Sequence, residues 1–214
     1  MRTVKRTLVM LAALAVLVAA GRADEPSFSG KEPKWPEMEM LLKDRQVAKE
    51  IKLTGAQELA ARRALFEPLG KFTQALNKLQ DLKLEEFQAR SREARMVYNE
   101  EEREVVGKVL RPAQFKRIKQ IQVQGAELDA FLQPAVQKEL KLSTEQKDKV
   151  KDAARAYRKA SEEIEKGTDA DAVRKKRAAL REETMKNLVA LLTEEQQKKW
   201  KDMTGEPFQL DDGR

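Results

Sequence analysis

Neither cysteine nor histidine occurs in the 214 residues. The first absence excludes disulfides, thiol nucleophiles, thiolate metal sites and lipidation of an N-terminal Cys. The second removes the commonest general base and the side chain that changes charge between pH 5 and 8, and with Cys it removes the ligands preferred by zinc, copper and nickel. Glycine is scarce, at nine residues, and no Gly-rich phosphate loop is present. Aromatics are 5 % of the chain, too few for a thick globular core, whereas 37 % of residues are charged, which suits long, solvated amphipathic helices. No nucleophile, base and orienting group assemble into a hydrolytic constellation. Catalytic residues, cofactor-binding residues and metal ligands are therefore all expected to be none, and the protein is not expected to be an enzyme.

No apolar run suffices for a comfortable membrane span. The run at residues 8–20 has thirteen residues, against about 20 for a spanning helix. It follows Arg2, Lys5 and Arg6 and precedes the small residues Ala19, Ala20, Gly21 and Ala23, so residues 1–23 read as a cleaved secretory signal. Its removal takes four basic and no acidic residues, and the net charge falls from +7 to +3. That mild excess, on an exported chain, argues against nucleic acid as a partner. Residues 24–36, with Pro26, Gly30, Pro33 and Pro36, read as a flexible leader.

What the chain does have is a repeated pentapeptide. Leu53-Thr54-Gly55-Ala56-Gln57, Leu142-Ser143-Thr144-Glu145-Gln146 and Leu192-Thr193-Glu194-Glu195-Gln196 share Leu, a small hydroxyl and Gln at fixed spacing. A fourth copy, from Leu110 to Gln114, replaces the hydroxyl by Arg111 and follows it with Pro112. A Ser or Thr at a helix N-cap accepts from a backbone N–H two or three residues on, and a Gln three residues on reaches back to the cap's own N–H. Each copy therefore reads as a helix start, with Pro112 at the first helical position, where a missing N–H does no harm.

The copies are spaced as a duplication. Residues 47–54 match 136–143 at an offset of 89, and 110–118 match 192–200 at an offset of 82. The second interval is thus seven residues shorter, close to two helical turns. Removing about one turn from each arm of a helical hairpin would keep both the base and the tip in register. Gly167-Thr168-Asp169 marks the second tip, and the first falls near Leu82, where the apolar phase is lost. Leu59, Leu65, Phe66, Leu69, Phe72, Leu76 and Leu79 form the expected apolar stripe of the first arm, interrupted by Pro68, which is expected to kink rather than break the helix. The fold class expected is all-α: two tandem long helical hairpins with short connecting helices, residues 37–125 forming helical repeat 1 and 126–214 helical repeat 2 with a C-terminal tail. After Gly205 and Pro207, Phe208 and Leu210 either fold back or stay loose.

Other clusters read as surface. Arg174 to Arg177 spread around a helix, and Glu100-Glu101-Glu102 and Glu162-Glu163 are consecutive, so they do not converge as metal or catalytic carboxylates must. Trp35 lies in the leader. Trp200 occupies the place of Ile118 in the other copy and is expected in the core.

In an exported, helical, highly charged chain, the Leu53-Thr54-x-x-Gln57, Leu142-Ser143-x-x-Gln146 and Leu192-Thr193-x-x-Gln196 copies resemble the LTxxQ motif of the Spy/CpxP family of Gram-negative envelope proteins. The resemblance covers about residues 37–203. It implies a periplasmic location and one of two roles: an ATP-independent chaperone-like binder of unfolded or envelope proteins, as in Spy-like cradle-shaped dimers, or an adaptor in envelope-stress signalling, as in CpxP-like members. Relatives that sense metals do so through His and Met, and this chain has no His. It also holds two hairpin units where a typical member has one, so one chain can supply what a dimer supplies elsewhere, and homodimerisation is left open. The motif assigns no client-contacting residue.

Overall fold

The computed structural model describes residues 35–209. The expected signal at 1–23, the leader up to residue 34, and Leu210 lie outside the described residues. Nine α-helices and one 3₁₀ segment make up the described chain, and no strand occurs among the described residues. In order they are α1 (Met38–Lys43), α2 (Arg45–Glu50), α3 (Gly55–Asn77), α4 (Leu84–Val109), α5 (Pro112–Ala126), the 3₁₀ segment Glu127–Leu132, α6 (Pro134–Leu140), α7 (Thr144–Glu165), α8 (Ala170–Ala190) and α9 (Glu194–Thr204).

Helices α2, α3, α7, α8 and α9 begin where a side chain satisfies free backbone N–H groups. Asp44 caps α2 by accepting from the N–H groups of Gln46 and Val47 at 2.8 and 2.9 Å, and Asp169 caps α8 in the same way. The short helices α2 and α6 end with Lys52 and Lys141 in the left-handed region, at φ 51° and 53°. There the N–H of Leu53 reaches the carbonyl of Ala48 at 2.8 Å, and that of Leu142 the carbonyl of Gln137 at 3.0 Å. This is the bond that closes a helix when the chain must reverse sharply.

α3 and α4 pack antiparallel. Phe72 stacks on Tyr98 with ring centroids 5.1 Å apart, and Lys71 Nζ lies 3.3 Å from Glu101 Oε1. α7 and α8 pack likewise, with Val150, Ala154 and Leu188 buried between them. The turns fall at 78–83 and 166–169. α3 runs unbroken through Pro68, which is buried. Proline withdraws the N–H that Ala64 would otherwise use, and the helix absorbs that loss.

The duplication extends further upstream than the matched sequence. Adding 89 to Met38–Lys43 gives Glu127–Leu132, and each segment braces the long pair that follows it. α1 meets α4 through the backbone N–H of Glu39, which donates to Glu102 at 2.8 Å. The 3₁₀ segment meets α7 and α8 through the ion pairs Asp129–Arg158 at 3.3 Å and Glu127–Arg181 at 2.9 Å.

The apolar interior forms two clusters at the bases of the pairs. One gathers Met38, Leu42, Val47, Leu65, Val106 and Ile118, and the other Phe131, Leu140, Val150, Leu188 and Trp200. α5 contributes to both, through Ile118 and Ile121 to the first and Val123 and Ala126 to the second. Trp200 stacks on Phe131 at 4.2 Å, in the core place expected for it.

Three expectations are corrected. The leader does not reach residue 36: Trp35 packs against the second cluster, and the carbonyl of Pro36 accepts from Gln122 at 2.7 Å. The apolar stripe of α3 does not turn wholly inward. Leu65 joins Ala61 and Pro68 inside, whereas Leu59, Phe66 and Leu69 are 51, 71 and 38 % exposed. Seven residues at steps of one to six span a wider arc than one partner helix covers, and a two-helix pair buries only a narrow seam. Glu102, grouped with its neighbours as solvated surface, is fully buried. At the other end Phe208 folds back on the first cluster, its N–H bonded to Gln124 at 2.7 Å.

Candidate functional site

The motif residues come together in two places, one at the base of each long pair. Thr54, Ser143 and Thr193 are N-caps, accepting from the N–H groups of Gln57, Gln146 and Gln196 at 3.2, 3.1 and 3.3 Å. Each Gln returns the bond through Oε1. At the fourth copy Arg111 has no acceptor to offer, so only the return half is present, from the Arg111 N–H to Gln114 at 3.0 Å. The motif leucines Leu110, Leu142 and Leu192 are buried, and Leu53 packs against the first cluster.

Local capping leaves each Gln amide NH2 unused, and the fold uses it across the base. Gln57 Nε2 donates to Gln114 Oε1 at 2.8 Å, and Gln114 Nε2 donates to the carbonyls of Ile51 and Lys52 at 2.9 and 3.0 Å. In the second repeat Gln146 Nε2 donates to Gln196 Oε1 at 2.7 Å and to the carbonyl of Leu191 at 2.9 Å. Gln196 Nε2 reaches back toward the carbonyl of Lys141 at 3.4 Å. The motif therefore ties the start of a long pair to the helix that follows its end. This is a structural assembly of caps and amide ties.

A surface of different character lies on the first pair. The most exposed large apolar side chains among the described residues are Met40, Leu59, Phe66, Leu69, Leu84, Met96 and Val97, all in α1, α3 and α4. Leu59, Phe66 and Leu69 are seven and three residues apart, which sets them on one flank of α3. Arg62 and Arg63 lie among them, and Arg62 is bonded to Glu58 at 2.7 Å. The second repeat supplies an internal control. Its residues at the positions matching Leu59, Phe66 and Leu69 are Asp148, Arg155 and Arg158. The same architecture thus stands without an apolar flank.

Charge elsewhere is mostly paired along helix surfaces. Arg174 bonds to Asp171 and Arg177 to Glu165, in keeping with a solvated face. Among the described residues no group of three acidic side chains is placed to hold a metal ion. Glu102 takes the N–H of Glu39 and has Tyr98 Oη 3.5 Å away. Burial pushes its carboxyl above the usual range, the nearby Glu37 and Glu39 add to that, and burial pushes the Tyr98 phenol up as well. No pattern in the sequence marks Glu102, because the helix it caps is not its own. Among the described residues no helix is long and apolar enough to cross a membrane. Set against protein-family models, curated proteins and solved structures, the chain matches none of them.

Proposed function

We propose that the protein is an exported, Spy/CpxP-like helical protein, two tandem hairpins in one chain, that holds unfolded or envelope proteins in the periplasm without nucleotide. One observation carries this reading: large apolar side chains stand exposed on α3 and α4, interleaved with arginines, where the matching positions of α7 are charged. Such a surface attracts a chain through charge and holds it by nonspecific burial of apolar area. The LTxxQ-like copies and the apolar run at residues 8–20 support the family and the export. The confinement of the flank to one repeat also favours a second reading, an adaptor that docks one envelope-stress partner there.

The test follows aggregation of two unrelated reduced or denatured proteins by light scattering, in EDTA and without ATP. Suppression of both at stoichiometric excess is expected, with weaker suppression as salt rises, since charges are screened over about 8–10 Å at physiological ionic strength. Exchanging the flank for the residues of the second repeat, Leu59→Asp with Phe66→Arg and Leu69→Arg, should abolish suppression and leave helicity intact. No suppression of either protein removes the chaperone reading and leaves the adaptor, which should instead co-purify with one partner.

A further inference from the structure

A cleft of about 360 Å³ opens at the junction of the repeats, between α4, α5, α6 and α9, with Trp35 along its edge. That volume is at the small end of the range of roughly 300–1,000 Å³ for small-ligand sites. Phe115, Val123, Val136 and Met203 give it an apolar wall. Its charged lining looks balanced until the pairs are followed outward. Asp202 is bonded to Lys116 at 2.7 Å, Glu139 to Lys199 at 2.9 Å and Glu104 to Lys108 at 2.6 Å. Lys199 and Lys108 lie outside the lining, so each of the three carboxylates already has a bonded cation, and two cations of the cleft, Arg103 and Lys119, have no carboxylate within ion-pair distance among the described residues.

Arg103 is the unusual one. Its guanidinium lies 5.2 Å from the centre of the Trp35 ring, and its Nε–H is buried with no acceptor. Trp35 Nε1 is buried without an acceptor too. Burial disfavours the charge of Arg103 more than the nearby carboxylates of Glu100, Glu102 and Glu139 favour it, and a desolvated cation with no hydrogen-bonded counter-ion destabilises a fold unless something offsets it. Two unsatisfied donors and an apolar wall therefore meet in one cleft.

We infer that this cleft binds a monocarboxylate with an apolar body, its carboxylate on the Arg103 fork and the Trp35 N–H, its body against Phe115, Val123, Val136 and Met203. Planarity favours a carboxylate, whose two oxygens match two parallel guanidinium N–H groups. A single charge fits better than a phosphate dianion, because Arg103 is the half-buried cation of the lining, whereas Lys116 and Lys119 are exposed and Lys116 is already paired with Asp202. The carboxylate can come from a free acid or from the C-terminus of a polypeptide ending in an apolar residue. This site is separate from the flank of α3 and does not rest on the chaperone reading.

The test titrates the full chain by calorimetry with 3-phenylpropionate, with its amide, and with a pentapeptide ending in Leu, free or amidated. Trp35 and Trp200 are the two tryptophans, so Trp200→Phe leaves the indole of the cleft as a fluorescence reporter. Binding of either carboxylate is expected, with its amide about tenfold to a hundredfold weaker. Binding of the acid alone identifies a free-acid site, and binding of the peptide alone a C-terminus site. Arg103→Met should weaken the carboxylate by the same factor and leave the amide unchanged, and Trp35→Phe should weaken it severalfold. If Arg103→Met fails to fold, Arg103→Lys keeps the charge without the fork and should still weaken binding. The proposal is overturned if neither carboxylate binds at millimolar concentration, if amide and acid bind alike, or if the folded Arg103 variants bind like the parent.

Discussion

Replacing Gln114 by Met, which keeps the length of the side chain and removes its hydrogen bonding, should destabilise the protein more than the same change at Gln196. Gln114 is buried, and its loss strands the carbonyls of Ile51 and Lys52 and the N–H of Arg111. A buried polar group left unsatisfied costs about 1–3 kcal/mol. Lys52 and Arg111 are exposed and their backbone groups regain water, so the sum is dominated by the Ile51 carbonyl and the half-buried amide of Gln57, which donates to Gln114, and comes to about 2–4 kcal/mol. Gln196 is only half-buried, and its longer bond to Lys141, at 3.4 Å, is the weaker of its two, so about 1–2 kcal/mol is expected there. In a chain of this size 1 kcal/mol moves the melting midpoint by roughly 2–4 °C. Gln114→Met should thus lower Tm by about 4–16 °C and Gln196→Met by about 2–8 °C. Urea unfolding of the single variants and of Gln57→Met with Gln114→Met measures the coupling across the tie, expected at about 1 kcal/mol. Equal losses at the two positions, or no coupling between Gln57 and Gln114, would refute the cross-base role and leave simple capping.

Thr54→Ala, Ser143→Ala and Thr193→Ala should each lower stability by about 0.5–2 kcal/mol, measured by thermal melts, without altering the suppression of aggregation. Lys52→Gly and Lys141→Gly should each raise stability by about 0.5–1 kcal/mol, because a side chain in the left-handed region is strained by about 1–2 kcal/mol and glycine's greater unfolded freedom returns part of that; a lower urea midpoint for both would contradict it. For Glu102 the sign is unusual for a carboxyl. Its folded pKa is raised, so the folded chain holds an extra proton from the ordinary carboxyl range up to the raised value, and stability falls as pH rises through that window. The stability of Glu102→Gln relative to the parent should therefore be more favourable at pH 8 than at pH 5, by about 1.4 kcal/mol for each unit by which the raised value exceeds pH 5. Urea unfolding at the two pH values decides, and a relative stability that is equal or falls with pH contradicts the burial argument.

Helix starts were legible because capping is local, joining residue i to residue i+3. Thr54, Ser143 and Thr193 occupy the positions that their spacing from Gln57, Gln146 and Gln196 demands. The amide half of each Gln was not legible, since its partner lies about 50 residues away and depends on how the helices are packed. The equivalence of α1 and the 3₁₀ segment escaped sequence matching because the two share little beyond the apolar pairs Leu41-Leu42 and Ala130-Phe131, all buried. The outward side of α3 was illegible for a different reason. Periodicity reports that Leu59, Phe66 and Leu69 recur at helical intervals, but it cannot report that no third helix arrives to cover them. The Arg103 cleft carries no local signature, being assembled from Trp35, α4, α5, α6 and α9.

On α3 the last fully buried residue is Pro68, and on α4 the first is Tyr98; between Ala154 and Thr184 the second pair has none. Backbone amides at the base should therefore exchange with solvent only when the whole chain unfolds, whereas those toward either turn exchange through openings confined to two helices. The molecule is graded in stiffness along each pair, rigid where the Gln ties close it and compliant at its ends. Leu59 sits on the rigid part and Leu69 just past its limit, so anything resting on that flank bears on both a fixed support and a yielding one.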